Sequence, residues 1–409
     1  MNVPQLRFNG FKGEWDISEL KKLVKLEGGA TPLKSEKRYW QDGHIPWVSS
    51  QEVGPKKIDK TTFNITEAAV SETSTKMVGK NTILLVVRSG ILNRTIPLSI
   101  TMIPMAINQD IKAMIIKHEK LHHLFLYQWM KKNEKAMLSN VVKGGTTVQS
   151  VNTPDLQDYL IKIPSASEQH KIADFFELID GKIEKQQEKL DKLTLLKKGM
   201  MQKIFSQELR FKNEDGEEFS EWETKQLKEF AMKTVKKNRD MKVTNVISNS
   251  AKQGLISQRS YFKKDIANEL NIDGYYVISK GDFVYNPRIS SESPYGPVHI
   301  YELEEDGIVS PLYLCFKTKN IDSKFLKYFF MSSQWYKHVY TQGDSGARHD
   351  RVSIKDTAFF EMKIAVPSLV EQEKISDFLT SLNLKVEKER EKLMVLEEQK
   401  KGFMQGMFV

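Results

Sequence analysis

The sequence predicts two pseudo-symmetric copies of a mixed α/β (α+β) domain, bridged by two long helices that pair as an antiparallel coiled coil. Three observations predict it. A stretch of sequence recurs without a gap, each copy of it carries a heptad stripe of apolar residues, and each stripe follows a segment long enough to be a domain. IPSASEQHKIADFF, from Ile163, returns as VPSLVEQEKISDFL, from Val366. Pro164 matches Pro367, and the same offset holds through Glu168/Glu371, Gln169/Gln372, Asp174/Asp377, Lys189/Lys392, Gly199/Gly402 and Phe205/Phe408. A gapless match of this length marks a duplication.

Each recurring segment reads as one helix. Ser165 with Glu168, and Ser368 with Glu371, have the S-x-x-E spacing in which side chains satisfy the free amides of a first helical turn. Apolar residues then alternate in steps of four and three. The first stripe is Ile172, Phe176, Ile179, Ile183, Leu190, Leu193, Met200 and Ile204; the second is Ile375, Leu379, Leu382, Val386, Leu393, Leu396, Phe403 and Met407. This is a coiled-coil seam. Gln186 and Lys197 interrupt one stripe where Glu389 and Lys400 interrupt the other, and polar seam residues fix register at a cost in stability. About 37 helical residues make a rod of roughly 55 Å, the length of some 16 base pairs, so the rod is able to act as a ruler.

The rest of the chain repeats more loosely. Leu6-Arg7-Phe8, Glu14-Trp15 and Leu20 return as Leu209-Arg210-Phe211, Glu221-Trp222 and Leu227. GKNTILLVVR, ending at Arg88, parallels SKGDFVYNPR, ending at Arg288, as an apolar strand after a turn, closed by an arginine. Leu124–Met130 and Phe325–Met331 read as a short buried helix, and Gly145–Asp155 and Gly346–Asp356 as a polar loop before the last strand. GGATP, from Gly28, reads as a turn in which paired glycines tolerate positive φ. The expected domains are residues 1–160 and 207–364, with the helical segments at 161–206 and 365–409.

Composition bounds the partners. Of 409 residues, 62 are Lys or Arg against 53 Asp or Glu, a formal charge of +9, which favours a polyanion. Cys315 is the single cysteine, so no intramolecular disulfide forms and a reducing cytoplasm fits. The N-terminus lacks an apolar signal region, and runs such as Ile83–Val87 are too short to span a bilayer, so neither secretion nor a membrane is expected.

The order of these phrases, with GGATP, YWQDGHIPW (Tyr39–Trp47), GDFVYNPR (Gly281–Arg288) and GIVSPLY (Gly307–Tyr313), resembles the specificity subunits of Type I restriction-modification systems over nearly the whole chain. The resemblance implies two target-recognition domains, each reading one half of a split duplex-DNA site. It also implies two methyltransferase subunits that bring S-adenosylmethionine to adenine, with the shared helices as their docking surface. Motor-nuclease subunits that use ATP and magnesium complete the implied assembly.

Catalytic signatures are weak by comparison. GKNT at Gly79 lacks the glycine frame of a phosphate-binding loop, and Asn286-Pro287-Arg288 lacks the second proline and the aromatic of an adenine-methylating motif. HEKLH (His118–His122) has the spacing of a zinc-binding helix, but the second domain places Lys319, Asn320 and Ser323 at the matching positions, so no metal is expected. No catalytic residue is expected either.

What remains is the chemistry of reading DNA: arginines that fork onto guanine, amides that pair with adenine, hydroxyls and lysines for phosphates. The candidates in the first domain are Arg88, Ser89 and Asn93, then Lys143, Thr146, Thr147 and Gln149; Trp47 with Ser49, Ser50 and Gln51 forms a third group. In the second domain they are Tyr285, Asn286, Arg288 and Ser290, then Arg348, His349 and Arg351. The bland alternatives are that the arginines only close a strand and that the chain is a scaffold binding nucleic acid without sequence preference. A complete modification enzyme is a second rival.

Overall fold

The computed structural model describes residues 2–117, 120–144, 148–258, 272–345 and 350–409. By contacts the chain divides into two compact units, Met1–Gln187 with Glu391–Val409, and Glu188–Arg390. Each unit therefore holds one globular part, half of one long helix and the opposite half of the other.

The first unit is built on a five-stranded sheet. Its strands run in the order Val24–Gly28, Ile111–Ile116, Ile83–Val86, Leu98–Thr101 and Lys57–Ile58, antiparallel except for the last pair. The central strand Ile83–Val86 is buried on both faces, which is why it reads as a continuous apolar run rather than an alternation. Ile83 and Leu85 join one core cluster, Leu84 and Val86 another. A second, four-stranded sheet carries Ile45–Val48.

The second unit repeats the central order with shorter strands: Ala231–Lys233, Leu314–Thr318, Phe283–Tyr285 and Val298–Ile300. Again Phe283 and Tyr285 face one cluster and Val284 the other. The turn before the central strand needs a left-handed residue in both copies, supplied by Asn81 (φ 63°) and by Gly281 (φ 92°). In each unit the strand after the Trp pairs antiparallel with the strand before the long helix, Asp16–Glu19 with Leu160–Ile163 and Glu223–Gln226 with Lys363–Val366.

Three sequence expectations change in detail. Leu124–Met130 lies within a 19-residue helix, His123–Val141, whereas its counterpart Ser323–Met331 stops and a separate helix, Tyr336–Gln342, follows. The break coincides with Trp335, which is buried against Tyr285 and Phe330. The polar segments before the last strand are small hairpins, Val142–Lys143 with Ser150–Val151 and Asp344–Ser345 with Val352–Ser353, each followed by one helical turn. Neither Gly28 nor Gly29 has positive φ. Gly29 is required instead for close approach, because a Cβ there would lie 1.8 Å from the carbonyl oxygen of Ile107.

The long helices span Ala166–Phe205 and Leu369–Met407. Within each unit their halves run antiparallel. In the first, Phe176 meets Phe408 and Asp180 meets Lys400; in the second, Lys189 meets Glu389 and Lys197 meets Asn383. Seam residues Ile172, Phe176, Leu190, Ile375, Leu379, Leu382, Val386 and Leu393 are buried, and Ile179, Ile183, Leu193 and Leu396 half-buried. Leucines off the stripe, such as Leu178, Leu195 and Leu384, are exposed. Among the described residues no helix is long and apolar enough to cross a membrane.

The S-x-x-E caps are only half used as caps. Ser165 and Ser368 accept from the amides of Glu168 and Glu371, but the glutamate side chains turn away to Arg7 and Arg210. Both carboxylates are buried, and breaking a buried pair from one side costs about 3–5 kcal/mol. Arg7→Ala is therefore expected to destabilise the first unit by about 3 kcal/mol, and Arg210→Ala the second to a similar degree. Urea unfolding followed by fluorescence checks this; a change under about 1 kcal/mol would mean water replaces the guanidinium.

Candidate nucleic-acid interface

The two polar loops singled out in each half of the sequence come together in the folded units. In the first unit Arg88 pairs with Ser150 as an isolated β-bridge, the Val151 amide donates to the Val87 carbonyl (2.8 Å), and the Ser89 amide to that of Gln149 (3.2 Å). In the second unit Arg288 pairs with Arg351, the Val352 amide donates to Pro287 (2.9 Å), and the Ile289 amide to Asp350 (2.9 Å). In both units, then, the end of the central strand is stitched by backbone hydrogen bonds to the small hairpin.

Side chains from both loops emerge there. Arg88, Asn93, Lys143, Arg288, Ser290 and Arg351 are exposed, and Ser89 and Gln149 half-buried. No hydrogen bond or ion pair engages the guanidinium of Arg88 or Arg288 among the described residues, so both are available to an outside acceptor. Lys143 forms an exposed ion pair with Asp155 (2.9 Å). Ser89 also caps the short helical turn Gly90–Asn93, and Ser290 closes a tight turn with Ser293. Thr146, Thr147, Arg348 and His349 lie outside the described residues, as do His118 and Glu119 of the HEKLH motif.

Two candidates move inward. Tyr285 is 2% exposed and its hydroxyl donates to the Tyr295 carbonyl (2.8 Å). Asn286 is 8% exposed; its amide donates to the Asn249 carbonyl (3.1 Å) and its oxygen accepts from the Arg288 amide (3.1 Å). Both belong to the core that holds Arg288 in place, because the strand is covered on both faces and its polar groups must be satisfied from within. Trp47 is likewise buried, donating to the Ala30 carbonyl (3.1 Å), and Ser49 is tied to Glu52.

The buried polar network under Arg288 extends further. Asn249 donates to the carbonyls of Val284 and Pro297, and its oxygen lies 2.6 Å from His299 Nδ1. Burial lowers His299 to about 4, so the ring is neutral at pH 7. In the first unit the rings of His122, His123 and His170 pack together, and burial lowers His122 and brings His123 to about 4.

The model of the Type I restriction modification DNA specificity domain matches the chain twice, at residues 12–195 and 219–398. The chain belongs to this family. A specificity subunit of the Type I restriction enzyme EcoR124I/EcoR124II of Escherichia coli is 33% identical over 169 residues, which span 41% of this chain and 42% of that protein. The MjaVIII specificity subunit of Methanocaldococcus jannaschii is 28% identical over 309 residues, 70% of each chain. In fold, the S subunit of the Type I restriction-modification system of M. genitalium superposes over 100% of this chain and 99% of that one, with TM-score 0.60 and 15% identity. The first of these matches thus spans less than half of the relative's length.

Both copies of the specificity domain carry an anchor that the sequence reading passed over. In the EQ pair of each helix start, Gln169 accepts from the His122 amide and donates to the carbonyls of Lys120 and Pro164. Gln372 accepts from the Asp322 amide and donates to Pro367. The recurrence of EQ was the available signal; what it lacked was the partner.

Asn286→Ala is expected to cost about 1–3 kcal/mol of stability, since it leaves a buried carbonyl and the Arg288 amide without their partners. Thermal unfolding measures this, and an unchanged midpoint would return Asn286 to the group of base readers.

Proposed function

We propose that this family member reads a split DNA site, one half with each unit, and directs partner subunits that modify or cut the DNA. The observation that carries the reading is the duplicated junction of central strand and hairpin, with an exposed arginine at the same place in both units whose guanidinium makes no hydrogen bond or ion pair among the described residues. Loops set on a rigid sheet suit base recognition, and arginine is the side chain that most often reads guanine in the major groove. Phosphate contacts by lysines and hydroxyls would position each unit, while the loop side chains specify bases.

In this reading the chain has no catalytic centre. Two methyltransferase subunits supply S-adenosylmethionine and the adenine chemistry, and restriction subunits supply ATP-driven, magnesium-dependent cleavage. The long helices offer the methyltransferases a place to dock: Leu195 and Leu196 in the second unit, and Met394 and Val395 in the first, are exposed apolar residues on otherwise charged helix faces. The helices, 40 and 39 residues long, would also set the number of unread base pairs between the half-sites.

A scaffold that binds nucleic acid without sequence preference shares the basic charge and the helices but not the outcome of one experiment. The chain is co-expressed with its methyltransferase and methylated adenines are mapped across host DNA by single-molecule sequencing. One split motif with a modified adenine in each half is expected; assembled, active complex without any motif would establish the scaffold.

Arg288→Ala is expected to weaken reading of one half-site by about 1–3 kcal/mol and leave the other intact. Binding assays on duplexes altered in one half at a time check it. Equal loss on every sequence would assign Arg288 to the DNA backbone.

A further inference from the structure

The second unit contains a cleft of about 400 Å³ directly beside the strand–hairpin junction. It is lined by Tyr276, Tyr313 and Pro287 and by the polar Arg351, Ser353 and Asp356, the last paired with Lys233 (2.5 Å). The volume falls at the small end of the range for ligand sites, about 300–1,000 Å³, and comfortably holds one flat heterocycle. Aromatic and apolar walls with a few convergent donors and acceptors are what such a ring requires.

Position narrows the ligand. Tyr313, half-buried, lines the cleft together with exposed Arg351. Arg351 is at once a wall of the cleft and the bridge partner of Arg288. A ring entering the cleft therefore meets Arg351 at the junction that presents both arginines proposed above to read DNA. The same lining gives the cleft both a cation, Arg351, and a carboxylate, Asp356, a set able to grip a heterocycle that offers both acceptors and an amino group.

We propose that this cleft receives a single nucleobase of the second half-site, unstacked from the duplex and distinct from the adenine that is methylated. The inference rests on the DNA-reading function proposed above and adds to it a mode of reading. A base so held is recognised on edges that pairing hides in the double helix, and unpairing it favours sites where the local step opens easily.

A mismatch scan tests this in the complex of the full chain with its methyltransferase subunits. In duplexes carrying the mapped site, the base opposite each position of the second half-site is replaced in turn, excluding the methylated adenine and its partner. A base read in the groove binds worse when mispaired, whereas an extruded base binds better, because its unpairing cost has already been met. One position is expected at which the mismatch tightens binding by about tenfold or more. That gain is expected to vanish in Ser353→Trp, which fills the cleft, while discrimination at the other positions of the second half-site stays unchanged and reports that the second unit is folded. Weakened binding at every mismatch, or a gain that survives Ser353→Trp, overturns the proposal. If discrimination is absent at both half-sites of the unaltered complex, the underlying DNA-reading function fails as well, and the two failures are thereby told apart.

Discussion

The buried Glu-Gln pair at the start of each long helix is the constraint on which the units depend. Glu168 is 1% exposed and Gln169 0%, so their polar atoms must find partners in the protein. Glu168 takes Arg7 from the segment ahead of the first strand, and Gln169 takes the entry to helix His123–Val141. Two pieces distant in sequence are thereby fixed to one helical turn. Glu371 and Gln372 do the same with Arg210 and Asp322. The fixation even spans the chain ends: the Leu6 amide donates to the Gly406 carbonyl (2.8 Å), as the Leu209 amide donates to that of Lys203 (3.0 Å) where the chain is continuous. The first unit obtains from the end of the chain the contact that the second obtains from its own linker.

The units part company one helical turn and more further along. Asp180 accepts from Gln128 and pairs with Lys56 and Lys400; although burial works against its charge, these cations hold the carboxyl below its ordinary range. Glu177 adds Lys57 to the same network. At the matching place in the second unit, Lys197 meets the amide of Asn383 and Tyr328 donates to Thr380. Burial there lowers the Lys197 ammonium, with Lys327 and Arg390 adding to the effect and Glu387 opposing it. The position keeps a polar seam residue in both units, consistent with a role in register. In the first unit the position is an ion pair, Asp180 with Lys400, and in the second an ammonium–amide hydrogen bond, so screening by salt weakens that contact more in the first unit than in the second.

The repeat, the seam and the central strands were legible because each is a pattern of residue types along the chain. Ile83–Val86 is apolar at every position and is buried on both faces; the seam spacing separates buried Leu393 from exposed Met394 and Val395. What was not legible depends on partners brought from afar. Tyr285 and Asn286 read as loop chemistry because a tyrosine and an asparagine close an apolar run, yet Tyr295 and Asn249 arrive to satisfy them. Gly29 reads as a flexible turn, but the carbonyl of Ile107 sets its identity. Arg88 and Arg288 stayed outside because the strand has ended by then, and among the described residues no side chain claims their guanidinium groups.

This division explains how one scaffold tolerates change where it reads. The hairpin is held to the strand end by the Val151–Val87 and Ser89–Gln149 backbone bonds in the first unit, and by Val352–Pro287 and Ile289–Asp350 in the second. Backbone bonds are indifferent to side-chain identity, provided no proline replaces a donor. The side chains of Arg88, Asn93, Ser290 and Arg351 can therefore be exchanged without disturbing the geometry that presents them. The residues that cannot be exchanged lie beneath: Asn286 orients the Arg288 amide, and the Asn249 side chain ties the Val284 and Pro297 carbonyls. A change of specificity by substitution is thus cheap at the rim and costly one layer below it, and the boundary falls between Asn286 and Arg288, two residues apart on the same strand end.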